Sequence, residues 1–410
     1  MFSTAQSLPH DVLSELFEHV AVIDPAGALL KGERRSLGWI TTTHVCARWR
    51  EVGLGLAALW ADAVCAFPSV AIADEVLLRA RDCLLNVTVG PPALDLDPRT
   101  PFTRAPHLPT SWGIQHLQRA RTLRCHVDRG STYSDHSEAY TALRDTTLPL
   151  LQHLYLSDTT KPKRGDPPPI VELTCPSLLS AHFCNVLPHP SFAVSASSLS
   201  RLCLELPYGT VSVYDLSPCL CALRDMSRLE HLKLVLSGGI FPRFSLGIVR
   251  FENLKTLHVS CKNAQHAPVI LDFISTPCIV DTSIEITEPL HNWDEPIIFP
   301  RIFVHQPQAL HTGSVSISDT SLKVESGDGP DHAMFSLTWR PWAAVRYNTN
   351  LTYSEILSAI AHQIDLSGFT SCSVWFPDPR TGGRGANVGA ALAALRQALS
   401  SVKTLTLHNA

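Results

Sequence analysis

A chain of 410 residues, 45% of them hydrophobic, has enough apolar side chains for one to three folded domains and is not typical of a disordered protein. Its 33 basic and 37 acidic residues give a net charge of −4, which argues against the clustered basic surface of a nucleic-acid-binding protein. No apolar run reaches the roughly 18 residues of a membrane-spanning helix, and the first residues lack the basic start and apolar core of a secretory signal.

The first predicted element is an amphipathic helix in SLPHDVLSELFEHV, from Ser7 to Val20. Its apolar residues recur at spacings of three and four, which places them along one face of a helix. Pro9 suits the first helical turn, where a missing N–H costs nothing. A short helix of this kind buries its apolar face either in its own domain or against a partner. The face consists of Val12, Leu13, Leu16, Phe17 and Val20.

A second helix is predicted in THVCARWREV, where Val45, Cys46, Trp49 and Val52 recur at helical spacing. A third short helix is predicted to end near Trp60. Because three helices of this length form only a small core, we expect them to pack against something larger.

The next stretch of the chain predicts a connection rather than a domain. A helix from Ile72 to Cys83 is followed by a strand in LLNVTV. Six prolines between Pro91 and Pro109 then predict a loop, because proline lacks the N–H that helices and sheets use.

A Leu-x-x-Leu-x-Leu pattern recurs along the rest of the chain, with an early variant in ARTLRCHV around Leu123. Its copies start at residues 151, 178, 199, 229 and 254, so the intervals are 27, 21, 30 and 25 residues, which is irregular but close to the length of a leucine-rich repeat. Each copy predicts one short strand whose alternate leucines enter a shared core. The strands are expected to be parallel and in sequential order.

Between residues 279 and 376 the pattern blurs. Strands are predicted in IVDTSIEI, GSVSISD, FSLTW and CSVWF, and helices at 352–364 and 386–399. A further copy of the repeat, starting at Val402, predicts a strand in KTLTLHNA. The alternation of helix and strand is typical of a curved repeat array, although the irregularity leaves a different fold open.

The twelve cysteines form no C-x-x-C pair, and no histidine lies at zinc-ligand spacing from a cysteine pair. Most lie in apolar strings such as RLCLEL. We therefore expect reduced cysteines that act as small core residues, as is usual in the cytoplasm or the nucleus, and no metal site.

The sharpest candidate for catalysis or nucleotide binding is the glycine-rich stretch Gly382–Gly389 in RTGGRGANVGAALAAL, between a predicted strand and a predicted helix. The strand that follows lacks the acidic residue that would hold a ribose, so a turn into the last helix is the favoured interpretation. Esterase, metalloprotease and P-loop motifs do not occur in the sequence. We predict no catalytic residues and no cofactor.

Three histidines lie between the leucines of a repeat, where strand alternation turns side chains away from the core. A surface formed in this way is either a recognition surface or an ordinary polar face, and the second is favoured. The three are His153, His231 and His258.

The combination of LPHDVLSELFEHV, Trp39, HVCARWREV and ALW resembles the F-box motif of fungal F-box proteins, over about residues 7–60. The chain departs from the compact motif in a longer loop, Asp24–Ser36, and in Leu56, where the family often has proline. F-box proteins commonly carry leucine-rich repeats behind the motif, and most of 111–410 is similar to such repeats.

The resemblance implies that the N-terminal helices bind the Skp adaptor subunit of a cullin–RING ubiquitin ligase and that the repeats hold a protein substrate. The main role of Trp49 would be to join the helices as a core residue, and contact with the adaptor would be its lesser role. The residues implied in adaptor binding are Leu8, Pro9, Val12, Leu13, Leu16, Val45, Cys46 and Trp49.

We therefore predict an α/β protein in three parts. A small helical F-box occupies residues 1–62, a helix–strand and proline-rich linker occupies 63–110, and an irregular leucine-rich-repeat-like solenoid with a curved parallel sheet occupies 111–410. The predicted function is that of a non-catalytic, substrate-recognition subunit of an SCF-type ligase in the cytoplasm or nucleus, with no nucleic-acid or membrane partner. The alternative is a leucine-rich-repeat scaffold without a ligase role.

Overall fold

The protein is a mixed α/β structure with helices at the N-terminus and parallel strands behind them, as a computed structural model shows. The chain divides into two compact units, the first comprising 1–161 and 169–198 and the second comprising 162–168 and 199–410. The domain boundaries that the sequence predicts at residues 62 and 110 are not tested by this division and stay predictions. The structure describes residues 8–28, 35–90, 107–127, 139–144, 146–158, 169–206, 223, 226–236, 248–261, 266–275, 281–286, 314–317, 321–325, 334–339, 371–376, 393, 396–397 and 404–409.

The first unit begins with short helices. Helix α1 (His10–Ile23) starts later than the sequence predicts, because Pro9 occupies the position before the helix and its carbonyl accepts a hydrogen bond from the N–H of Leu13 at 3.1 Å. A 3₁₀ helix (Gly38–His44) follows. The next three are α2 (Ala47–Gly55), α3 (Ala57–Asp62) and α4 (Val70–Ala80).

Aromatic rings form the core of these helices. Phe17 on α1 packs edge-on against Trp39 with ring centroids 6.1 Å apart, and it lies 6.0 Å from Trp49 on α2. Trp39 continues the cluster to Trp60 on α3 at 4.9 Å. The indole N–H of Trp60 donates a 2.9 Å hydrogen bond to the carbonyl of Gly53, so its polar atom is satisfied inside the core.

Four parallel strands follow in the first unit: β1 (Leu85–Val89), β2 (Ala120–Val127), β3 (His153–Asp158) and β4 (Ser180–Cys184). Strands β2, β3 and β4 pair in the predicted sequential order. Strand β1, which is predicted as part of the connecting segment 63–110, pairs with β2 as well, so the sheet begins earlier than the repeats do. The described part of this unit also contains short helices α5 (Thr110–Gln115) and α6 (Phe192–Ser195), a 3₁₀ turn at Leu117–Arg119, helical residues at 139–143, and two-residue strand pairs.

The leucine pattern explains the register of these strands. Leu123, Leu154 and Ala181 are direct partners across β2, β3 and β4, and all three are buried. The first leucine of each copy lies just before its strand and is also buried, as Leu151 and Leu178 show. Stacking equivalent apolar residues closes a core that a single copy cannot form.

The second unit repeats this arrangement in β5 (Arg201–Leu206), β6 (His231–Leu236), β7 (Thr256–Cys261) and β8 (Asp281–Ile286). These strands are again parallel and sequential. Helix α7 (His266–Phe273) lies between β7 and β8 in the chain. The strands predicted from the three copies that start at 199, 229 and 254 and from IVDTSIEI are therefore confirmed.

The sequential order fails after β8. Five further strands are β9 (Ser314–Ile317), β10 (Ser321–Glu325), β11 (Met334–Trp339), β12 (Ser371–Phe376) and β13 (Thr404–Asn409). Their order is β8-β11-β10-β9-β12-β13, and β10 pairs antiparallel with both β9 and β11. Three residues separate β9 from β10, which is too short for the crossover that parallel neighbours need.

The expectation of an all-parallel sequential sheet is therefore wrong for residues 314–339, where the sequence analysis also missed β10. The predicted strands β9, β11, β12 and β13 are present. The helices predicted at 352–364 and 386–399, and the Gly382–Gly389 stretch, lie outside the described residues, apart from Ala393, Arg396 and Gln397, which are helical.

Buried cysteines line the inward side of the strands. Burial raises the pKa of the thiols of Cys125, Cys261 and Cys372 to about 12, which keeps them protonated at neutral pH. They act as small apolar core residues, in the way that the apolar strings around them indicate.

Candidate functional site

The first candidate surface lies on the N-terminal helices, where the structure separates the predicted adaptor-binding residues into two groups. Leu13 is 0% exposed and Trp49 9% exposed, so both belong to the helical core. The other six reach the surface to different degrees. Leu8, Leu16 and Cys46 are half-buried, Pro9 is exposed, and Val12 and Val45 are 42% and 54% exposed.

Helix geometry explains this division on α1. Each residue advances a helix by about 100°, so Val12 lies about 100° and Leu16 about 60° around the axis from the buried Leu13. Phe17, which is 1% exposed, lies on the other side of Leu13 and points into the tryptophan cluster. One side of the predicted stripe is therefore core, and the other side is an apolar flank. We call Leu8, Pro9, Val12, Leu16, Val45 and Cys46 the docking flank.

The ends of the longer loop after α1 are fixed to the helices. The N–H of Gly27 donates to the carbonyl of Ser36 and the N–H of Ser36 donates to the carbonyl of Ala28, both at 2.8 Å. Arg35 donates a 2.9 Å hydrogen bond to the carbonyl of Ala66, beyond α3. Both described ends of the Asp24–Ser36 loop are therefore held together, and Arg35 attaches them to the segment after α3.

The second candidate surface is the outward side of the strands in the first unit. Arg124, Tyr155 and His182 are direct partners across β2, β3 and β4. The ring of Tyr155 lies 5.0 Å from that of His126 and 4.5 Å from that of His182. We call His126, Tyr155 and His182 the aromatic row. Burial, with a further contribution from Arg124, lowers the pKa of His126 to about 4, so its imidazole is neutral at pH 7.

A polar cleft of 430 Å³ lies at β1 and β2, and one of its lining residues, Arg124, is the direct strand partner of Tyr155 in this row. Asn86 and Arg124 contribute side chains from β1 and β2, and Arg35 and Asp62 contribute from the helical part. Asp62 accepts hydrogen bonds from Arg121 at 2.7 Å and from the Asn86 amide at 2.8 Å. Burial raises the pKa of Asp62, and Arg121 opposes that change.

Strand alternation also turns histidines outward, as predicted. His153 shares a 2.8 Å hydrogen bond with the hydroxyl of Ser180 in the first unit, and His231 shares one of the same length with Thr256 in the second. The direct partner of His258 is Lys233 rather than His231, so the two histidines of the second unit lie at different levels of their strands.

Ion pairs dominate the outward side of the second unit. Lys233 lies 3.0 Å from Glu205 and Lys255 lies 2.9 Å from Glu230. Glu285 is 3.9 Å from His258, whose pKa is lowered by burial and, to a smaller degree, by Lys233. The outward side of the second unit is therefore charged, whereas that of the first unit carries aromatic rings.

Sequence reasoning missed the cleft, because its residues come from separate segments with no shared pattern. Comparison of the chain with protein-family models, curated proteins and solved structures finds no match. Within the described part of the chain, no helix combines the length and apolar character needed to cross a bilayer.

Proposed function

We propose that this protein is the substrate-recognition subunit of an SCF-type cullin–RING ubiquitin ligase. In this proposal residues 1–62 form an F-box that binds a Skp-type adaptor, and residues 111–410 form a leucine-rich-repeat-like solenoid that holds a protein substrate. The chain itself performs no chemistry and needs no cofactor. Its cysteines favour the cytoplasm or the nucleus.

The observation that carries the proposal is an apolar flank beside a closed core. Leu13 and Phe17 are 0% and 1% exposed, whereas Val12 and Val45 are 42% and 54% exposed. Single exposed apolar residues are common on protein surfaces, but a helix edge with several of them suits a groove on a partner. The flank contains six of the eight residues that the F-box resemblance assigns to the adaptor, whereas the other two, Leu13 and Trp49, lie in the helical core.

The mechanism that follows is proximity. An adaptor held by the docking flank connects the chain to the cullin and to a ubiquitin-transfer enzyme, and a substrate held by the strands is then at a high effective concentration beside that enzyme. The strands support separate roles for the two regions, adaptor binding by the docking flank and substrate binding by the strands. Their outward side is polar and open to a ligand, while the opposite side of the same strands forms the core.

Co-purification with a Skp-type adaptor tests the proposal. Wild type is compared with a Leu8→Ala, Pro9→Ala double variant, and truncation of both contacts is expected to weaken adaptor binding by roughly 2–4 kcal/mol. A Val22→Ala, Ile23→Ala double variant is the matched control, because both side chains are 83% exposed at the other end of α1. Equal recovery of adaptor by wild type and the Leu8, Pro9 variant would contradict the proposal.

The second candidate is an interaction scaffold without a ligase role. The observation that favours it is that the cleft, the aromatic row and the ion pairs of the strands include no residue of the docking flank. A partner could therefore bind the strands without an adaptor on the helices. Failure of the wild-type chain to capture any Skp-type adaptor, with an intact fold, would favour this scaffold.

A further inference from the structure

The polar cleft and the aromatic row suggest what kind of substrate the first unit selects, which deepens the substrate half of the proposed function and rests on it. We propose that the cleft binds the carboxyl-terminal end of a polypeptide, with its terminal carboxylate at Arg124 and its preceding residues along the aromatic row. All residues of the cleft and of the aromatic row belong to the first unit.

The charge of the cleft favours an anion. Two arginines, Arg35 and Arg124, are among the residues that line it, and the guanidinium of Arg35 donates to the carbonyls of Gly27 and Ala66. The carboxylate of Asp62 is already engaged by Arg121 at 2.7 Å and by the Asn86 amide at 2.8 Å. A carboxylate ligand at Arg124 therefore meets positive charge that Asp62 does not neutralise, and a guanidinium binds carboxylates through parallel hydrogen bonds.

An unsatisfied acceptor in the same cleft favours an N–H group next to that carboxylate. Oδ1 of Asn86 is buried and has no hydrogen-bond partner among the described residues. The hydrogen bond from the Asn86 Nδ2 to Asp62 fixes the amide orientation and leaves Oδ1 to accept. Leaving a buried acceptor unsatisfied is costly, and a small shift of the Asn86 side chain that opens Oδ1 to the cleft would let the N–H of a terminal peptide residue satisfy it.

Register places the acceptor and the guanidinium at a suitable separation. Asn86 is the direct partner of Thr122, and Arg124 lies two residues further along β2 on the same side. Diagonal neighbours of this kind are about 7–8 Å apart between backbone positions, which long side chains shorten. A single terminal residue can therefore reach both groups.

The row beyond the cleft fits an extended chain rather than a small molecule. From β4 to β1 there are three strand spacings of about 4.8 Å, or about 14 Å, which is the length of about four extended residues. The rings of Tyr155 and His182 lie along this path, 4.5 Å apart. Rings of this kind pack against peptide side chains without demanding charge.

The path is closed at the β1 side, which favours a chain end over a chain interior. The backbone N–H of Thr88 donates to the sulfur of Cys65 at 3.3 Å, so the turn after α3 lies against β1. Arg35 holds the carbonyl of the next residue, Ala66, and Gly27 approaches Ala66 too closely to admit a Cβ. A peptide that runs along the row towards β1 must end there, and the guanidinium groups select a carboxylate over an ammonium group.

A peptide array tests the inference with the full-length chain. Hexapeptides of uncharged residues are attached through their N-termini, and the best binders are then made as free acids, as amides, and as amides with one internal glutamate. Fluorescence anisotropy measures their affinities. We expect the free acids to bind at least about tenfold more tightly than either amide form, because a hydrogen-bonded charge pair contributes about 1.5 kcal/mol or more.

Two variants locate the binding site. Arg124→Gln is expected to weaken free-acid binding at least about tenfold, since it removes the charge and keeps a side chain of similar length. Arg201→Gln is the matched control, because Arg201 is also an exposed arginine on the outward side of a strand, in the second unit. Thermal unfolding midpoints check that both variants keep the wild-type fold.

The inference is overturned if no array peptide binds, if the amides or the glutamate amides bind as tightly as the free acids, or if Arg201→Gln weakens binding as much as Arg124→Gln. Adaptor binding is measured on the same preparations. Loss of peptide binding with intact adaptor binding overturns this inference alone, whereas peptide binding without adaptor binding overturns the ligase role alone.

Discussion

The N-terminal helices and the parallel strands bury their apolar residues in different ways. The helices form a core from four aromatic rings and leave part of their apolar surface outside, with Val12 42% and Val45 54% exposed. The strands stack leucines in register, so that Leu156 and Leu234 are 1% and 2% exposed, and they turn polar residues or rings outward.

Under the proposed function, this difference corresponds to two kinds of binding surface. An apolar helix edge gains by permanent or long-lived burial in a protein partner, whereas a polar strand surface selects among ligands by hydrogen bonds and charge. The aromatic row and the ion-paired surface of the second unit show that strands with the same inward pattern can carry different outward chemistry.

The largest expected effect comes from removing one ring of the helical core. Phe17→Ala should lower the free energy of unfolding by about 3–5 kcal/mol, and Leu156→Ala in the strands by about 2–5 kcal/mol. Urea titration followed by tryptophan fluorescence reports the first, because Phe17 touches Trp39 and Trp49. The control Glu18→Ala changes an exposed neighbour on α1 and should alter stability by less than about 0.5 kcal/mol. A loss below about 1 kcal/mol for Phe17→Ala would show that the rings are not a core.

An intermediate effect is expected from a close approach inside the helices. A Cβ at Gly53 would lie 2.8 Å from Thr43 Cγ2 and 2.9 Å from Phe17 Cζ, so Gly53→Ala should destabilise by about 1–3 kcal/mol. Gly55→Ala, on the same helix with nothing within 4 Å of the new Cβ, should be neutral or stabilising by up to about 1 kcal/mol. Thermal unfolding of both variants measures the difference, and equal midpoints would contradict the packing described for α2.

The smallest expected effect is a change in pH dependence from the strands. The pKa of His126 falls from 6.5 to about 4 in the folded protein, mainly through burial. The unfolded chain therefore binds a proton that native His126 does not, and stability falls as the pH decreases from about 6.5 to about 4. His126→Gln should reduce that fall, measured as unfolding midpoints across this window. His19→Gln, which removes an exposed imidazole on α1, is the control, and an unchanged slope in His126→Gln would contradict the assignment.

The sequence predicts the parts of the fold that repeat and misses those that do not. Leucines at fixed spacing predict β3 to β7, because a two-residue alternation and a buried first leucine specify strand and inward side together. The antiparallel pairing of β10 follows from a three-residue connection after β9, and SLKVE carries no leucine signature that would reveal it.

The candidate site shows the same limit. Helical spacing predicts an apolar stripe on α1, but the division between core and docking flank depends on where Trp39 and Trp49 lie, which is a tertiary fact. The cleft joins Arg35, Asn86 and Arg124 from three distant segments, and no local pattern connects them.

The central claim is that the docking flank finishes its burial on a Skp-type adaptor, and an affinity measurement on two valine variants tests it most directly. Val12→Glu places a charge on the flank, whereas Val22→Glu places the same charge about 180° around α1 from Leu13. A glutamate near the N-terminus of α1 suits the helix dipole, so helix loss does not explain weaker binding by Val12→Glu. Isothermal titration calorimetry is expected to give a Kd about 30-fold or more higher for Val12→Glu, about 2 kcal/mol, and a Kd within about twofold of wild type for Val22→Glu. Equal affinities for the two variants, or no adaptor binding by the folded wild-type protein, would contradict the account.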